Sequence, residues 1–420
     1  MAVTGPRGWP GSGDDSGRPT DRDGDANEGP NGGVDGGPTR PRRARRDRGS
    51  PRADRSTDAS AAGDPASGDP TPAGPPLGVK TIRIGLWGAT SSGKSTLIGV
   101  LPWAAARVAR GGTRGSQQPS WTVTGGDPSS RLALDALTED VIVRRKFPAS
   151  TQANRHLNLL VRGDNGQPPP RRAVTTFAVD VLDVPGRLFG SGQTAGLPPT
   201  PDPEQEVVFD ADSGSFRAGG RDPASENRAE LTQHIADCDG IVLLIDPARE
   251  LDGKGQASLT YFHGMMHEVY ELAHRNGRAD GNRLLHQLSV CLTKFDHPQV
   301  LESALTRPEL EEMAGHARPR IRPDVAHRYF EYLCARPDST MRFIQDSING
   351  RFFARHVRYF ATSSVGFFVP ENGRFDPRDP GNVDELDGAE PRIRGPIAPM
   401  NALEPILSLA TRIKYSDETR

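Results

Sequence analysis

Gly88-Ala89-Thr90-Ser91-Ser92-Gly93-Lys94-Ser95 stands between the apolar run Thr81-Ile82-Arg83-Ile84-Gly85-Leu86-Trp87 and the segment Thr96-Leu97-Ile98-Gly99-Val100-Leu101, so a glycine-flanked turn joins a strand to a helix. That is the spacing of a phosphate-binding loop in the context it requires. Its glycines let backbone amides curl around phosphate oxygens, and the helix start adds partial positive charge. Gly88, Ser91, Ser92, Gly93 and Thr96 are the expected cradle. Lys94 is expected on the β and γ phosphates and Ser95 on Mg²⁺.

Glycine is common here, with 47 in 420 residues, so an ordinary Gly-rich turn has to be weighed. Lysine argues against it. Of 52 basic residues only Lys80, Lys94, Lys146, Lys254, Lys294 and Lys414 are lysine. A compact ammonium retained at Lys94, where most basic sites are Arg, points to a task the planar guanidinium cannot perform.

Composition sets the outer bounds. With 38 Pro and 34% hydrophobic residues, one large domain with loops fits better than two or three tightly packed ones. The net charge of −2 gives no global pull toward nucleic acid or anionic lipid. Cys238, Cys291 and Cys334 show no metal spacing or disulfide framework, so a reducing cytoplasm is expected. No apolar stretch approaches a membrane span, and no secretory signal opens the chain.

Residues 1–78 are Gly, Pro, Asp, Arg, Ser and Thr with almost no aliphatic side chains, and read as a disordered tail. Its cluster Arg40-Pro41-Arg42-Arg43-Ala44-Arg45-Arg46-Asp47-Arg48 is either a solvated charge run or a docking site for nucleic acid, lipid or an acidic partner, and is the one segment suited to nucleic acid. The folded domain is expected over 79–415. Asp127-Pro128 reads as an N-cap followed by a first-turn proline, opening a helix with Leu132, Leu134, Leu137, Val141 and Ile142 on its apolar side. Two extended runs, His156 to Val161 and Ala173 to Leu182, read as a hairpin.

Residues 187–227 read as a long polar loop, with a helix over 228–236. Gly240 to Asp246 and Leu288 to Leu292 read as buried parallel strands, the first followed by a helix over 259–273. Residues 298–354 read as a helical insertion, and 371–394 as a disordered stretch before a closing helix over 402–414. The expected fold class is therefore α/β: a mostly parallel sheet with helices on both faces and one antiparallel hairpin.

Two further signals end on strands. Asp183-Val184-Pro185-Gly186 places a carboxylate for Mg²⁺ and a glycine amide for a γ phosphate. Thr293-Lys294-Phe295-Asp296 places a carboxylate able to accept from guanine N1 and N2, with a lysine stem to cover the ring. Adenine has no such donor pair.

In this order the signals resemble the P-loop GTPases of the translation-factor and Ras-like class. The resemblance implies GTP or GDP with Mg²⁺ as ligands, and hydrolysis as the activity. It implies Thr151 as a switch threonine on Mg²⁺, with Ser150, Thr175 and Thr176 as competing candidates. Asp183 and Gly186 would belong to the second switch, and Thr293, Lys294 and Asp296 to the guanine site, with Ser363 and Ser364 behind the base. Arg187 stands where Ras-like enzymes carry a water-orienting glutamine, so hydrolysis would need a partner, another residue such as Gln193, or Arg187 itself as a charge-stabilising group. The loops are also similar to bacterial double-GTPase families of conflict or signalling systems, which implies an effector or adaptor protein as partner. A GTP-binding scaffold without turnover and a P-loop ATPase are the alternatives.

Overall fold

The computed structural model describes residues 80–89, 91–108, 120–149, 154–164, 174–183, 207–210, 215–218, 223–337, 339–371, 373–384 and 390–418. The tail over 1–78, Ser150, Thr151, Gly186, Arg187 and Gln193 lie outside them.

The chain runs β1 (Lys80–Gly88), α1 (Lys94–Val108), β2 (Trp121–Gly125), α2 (Pro128–Thr138), β3 (Arg155–Asp164) and β4 (Val174–Asp183). Then come β5 (Val207–Asp210), β6 (Ser215–Ala218), α3 (Pro223–Asp237), β7 (Gly240–Ile245), α4 (Pro247–Leu251) and α5 (Gln256–Arg275). Next are β8 (Ala279–Asp280), β9 (Arg283–Leu284), β10 (Gln287–Leu292), α6 (Pro298–Ala304), α7 (Arg307–Met313), α8 (Pro323–Ala335) and α9 (Met341–Arg351). The chain closes with β11 (Val357–Ala361), β12 (Val383–Asp384), β13 (Arg392–Ile393) and α10 (Glu404–Glu418).

Seven strands form the main sheet in the order β11-β10-β7-β1-β4-β3-β2. The five from β11 to β4 are parallel; β3 and β2 continue antiparallel. The expected hairpin is β3–β4, in register from Arg155 opposite Asp183 to Asp164 opposite Val174. Every residue of β7 and β10 is buried, as strands covered on both faces must be. Leu97, Ile98, Leu101, Leu134, Ile406 and Leu409 cover one face; Leu231, Ile235, Phe262, Met265, Val325 and Ile344 cover the other. The fold is α/β.

Asp127 caps α2 as its sequence requires: its carboxylate accepts from Ser130 N at 2.8 Å and from Ser130 Oγ at 2.7 Å. Ser130 Oγ in turn accepts from Asn158 N at 2.9 Å, tying α2 to β3. Asp127→Ala removes the cap and leaves a buried hydroxyl short of a partner. Its expected cost is about 2 kcal/mol, read as a lower urea midpoint at unchanged slope.

Several expectations need correction. Leu132 is 75% exposed and does not join the apolar side of α2, because the core-facing stripe runs through Leu134, Leu137 and Val141. Within the expected loop over 187–227, β5 pairs with β6 and α3 already begins at Pro223, a proline suited to a first helical turn. The strand ending at Asp246 stops at Ile245, and Asp246-Pro247 opens the short helix α4. In the expected disordered stretch, β12 pairs with β13, and buried Phe375, Asn382 and Ile393 anchor it. Asn382 Nδ2 donates to Val365 O at 3.1 Å, and its Oδ1 accepts from Gly395 N at 2.8 Å.

Candidate functional site

Because β1, β4, β7, β10 and β11 are parallel, the residues after them share the carboxyl edge of the sheet, where open α/β sheets bind ligands. Gly88 ends β1, Asp183 ends β4, Asp246 follows β7, Thr293 follows β10, and Ser363 lies two residues after β11.

The loop after β1 is shaped by its glycines. A Cβ at Gly88 would lie 2.6 Å from Ser92 Oγ and 2.8 Å from Leu244 O, so no side chain fits there. Gly93 has φ of +93°, and Ser91 adopts +62°. Ser92 N donates to Ala89 O at 3.2 Å, and Leu97 N to Gly93 O at 2.8 Å, so the turn passes directly into α1. Thr96 is buried in that first turn.

Lys94 Nζ folds back over this turn, donating to Gly88 O at 2.7 Å and Ala89 O at 3.1 Å. Burial pulls its pKa down to about 8, opposed by the negative charge of Asp183. Beside it, Ser95 Oγ donates to Asp183 at 3.1 and 3.3 Å, and Asp183 is buried. A hydroxyl and a carboxylate together are the hard oxygen donors Mg²⁺ takes, and two protein ligands leave positions for water and phosphate. Among the described residues no cluster of three or more His, Cys, Asp or Glu offers another metal site.

The second half of the site surrounds Asp296. Thr293 anchors the turn by donating N–H and Oγ1–H to Ile245 O, at 2.8 and 3.0 Å. Phe295 is fully buried, packs edge-on to Tyr329 at 5.5 Å, and donates its N–H to Thr362 O at 3.1 Å. Ser363 Oγ donates to Asp296 Oδ1 at 2.6 Å while accepting from Gly366 N at 2.7 Å. Burial pushes the Asp296 carboxyl above its ordinary range, and the Ser363 hydroxyl opposes that shift. Further N–H donors would therefore stabilise its anion. Gly366 closes the loop at φ +76°, where a Cβ would meet Ala398 O at 2.0 Å.

Of the expected serine pair, Ser363 is bonded to Asp296, while Ser364 sits beside it half-buried. Thr175 and Thr176 are β4 residues, as their β-branched run implies. Thr151, Gly186 and Arg187 fall outside the described residues.

Asp246 is the site residue that sequence reading missed. Its side chain is 5% exposed, and Lys294 Nζ lies 2.6 Å from its Oδ2. Its Oδ1 also accepts from Ala248 N at 3.1 Å, capping α4. Lys294 has φ of +55°. A non-glycine residue held there is strained, and the ion pair holds its long stem across the carboxyl edge between β7 and β10. The signal available in the sequence was Asp246-Pro247, the same dipeptide that opens α2.

No protein-family model matches the chain, and no curated protein matches it. Among solved structures it is similar to Sup35 complexed with GDP, with 13% identity and a TM-score of 0.25, over 68% of this chain and 38% of that one. It is also similar to the putative nucleolar GTP-binding protein 1 of Plasmodium falciparum, with 11% identity and a TM-score of 0.27, over 82% of this chain and 92% of that one. Likeness this distant carries no functional argument; the strand order and the loop geometry define the fold. No helix among the described residues is long and apolar enough to cross a membrane.

Proposed function

We propose that this chain is a Mg²⁺-dependent guanine-nucleotide switch that hydrolyses GTP to GDP and phosphate. The observation that carries this reading is the placement of Ser95, Asp183 and the buried Lys94 on the same sheet edge as the seated Asp296. Lys94 exchanges its carbonyl partners for β and γ phosphate oxygens. Ser95 and Asp183 would hold Mg²⁺, which would supply charge neutralisation for the phosphates. Asp296 accepts from guanine N1 and N2, and Lys294, braced by Asp246, covers the ring. The segments containing Thr151 and Asp183 to Arg187 are the proposed switches, presented to an effector or adaptor protein when GTP is bound.

Single-turnover phosphate release tests the enzymatic half. Asp183→Asn removes the carboxylate charge with little change of shape, and is expected to slow release at least about tenfold, a barrier increase of about 1.4 kcal/mol, and to raise the Mg²⁺ requirement. Arg187 in place of glutamine favours one second reading, a GTP-binding scaffold. A wild-type chain that binds GTP and releases no phosphate supports that reading instead.

A further inference from the structure

The amino-terminal edge of the sheet, opposite the loops after β1, β4 and β10, carries arginines laid on aromatic rings. Arg351, closing α9, lies 4.0 Å over Tyr270 of α5. Phe353 has Arg355 over its ring at 4.6 Å and Arg283 at 5.5 Å. Arg283 also donates to Phe352 O, and a bridge between Leu284 and Phe352 holds the two segments together. Arg358, exposed on the edge strand β11, donates to Val357 O at 2.7 Å.

None of Arg283, Arg351, Arg355 and Arg358 is ion-paired among the described residues, whereas Arg144, Arg228, Arg307, Arg328 and Arg394 all are. The charge of Arg358 is felt nearby: burial, and then Arg358, pull the Arg412 guanidinium down to about 10.

We propose that this edge binds the phosphodiester backbone of a single-stranded nucleic acid. Arginine held flat on a ring is pre-ordered, its fork matches phosphate oxygens, and its plane accepts a stacked base. Insertion into a lipid surface calls instead for exposed apolar side chains. Among the large exposed ones, Val174 opens β4, on this edge but four strands away from β11, and Leu132, Val143, Tyr332 and Phe343 are not at strand starts.

The test is fluorescence anisotropy of the full chain with labelled single-stranded RNA, and DNA of the same sequence, each of about 20 nucleotides. Four phosphate contacts predict a slope of log affinity against log salt of about −3, at about −0.7 per contact. The triple variant Arg351→Gln, Arg355→Gln and Arg358→Gln should bind at least about tenfold more weakly and flatten the slope to about −1. Fluorescent GTP binding at the opposite edge reports whether that variant is folded. The same loss must appear in a chain whose Arg40, Arg42, Arg43, Arg45, Arg46 and Arg48 are already Gln, which removes the tail cluster as the source. RNA-only binding would assign a ribose contact, and equal binding a backbone contact; either supports the proposal. Unchanged affinity and slope in the triple variant overturn it, as does binding confined to phosphatidylserine vesicles or to polyglutamate.

Discussion

Lys94→Ala is expected to lower GTP affinity about a thousandfold, a loss of about 4 kcal/mol, because it removes one partner of a buried charge pair with phosphate. The same substitution should leave the nucleotide-free protein nearly as stable as before. Its ammonium is buried and its pKa is held near 8, so in the free chain the charge costs desolvation energy that its two carbonyl contacts offset only in part. Nucleotide titration and a thermal melt without nucleotide separate the two effects. A melt that collapses would assign Lys94 a structural role instead.

A pH dependence follows from the same group. The free chain holds the Lys94 proton with a pKa of about 8, and bound phosphate holds it more tightly. Below that value the ammonium is present in both states and affinity is flat. Above it, binding requires uptake of one proton, and affinity falls by up to about tenfold per pH unit. Lys94→Ala should abolish the slope.

The second large effect is at Asp296. Asp296→Ala is expected to weaken GTP and GDP binding by about 3 kcal/mol, more than a hundredfold, since two hydrogen bonds to a charged acceptor disappear. Affinity for inorganic triphosphate, which touches only the loop after β1 in this reading, should change little. Isothermal titration with GDP and triphosphate measures both. Equal losses for the two ligands would mean that the buried Asp296–Ser363 pair supports the edge as a whole and does not select the base.

The loop from Gly88 to Ser95 was legible because its chemistry is contiguous: glycines, lysine and serine fall within one turn between a strand and a helix. Asp183 and Asp296 were legible for a related reason, the first closing a strong apolar strand and the second standing four residues beyond the end of another. Asp246 was not, although it sits in an Asp–Pro context like that of Asp127. It read as the last residue of β7, and its partner Lys294 is 48 positions away in the chain; only the parallel pairing of β7 with β10 brings them together. The segment over 371–394 misled for the opposite reason. Its anchors Phe375, Asn382 and Ile393 are isolated among Gly, Pro and Asp and carry no periodicity, yet each fills a buried position. Leu132 shows the limit of an apolar count, since helical position and not hydrophobicity decides which residues of α2 reach the sheet.

The most direct test of guanine-nucleotide binding at this edge is displacement of fluorescent GTP from the full chain in Mg²⁺ by unlabelled GTP, GDP and ATP. Asp296 seated by Ser363 predicts displacement by GTP and GDP, and none by ATP over the same concentration range. Equal displacement by ATP would contradict the guanine site and leave a P-loop nucleotide binder without base selection.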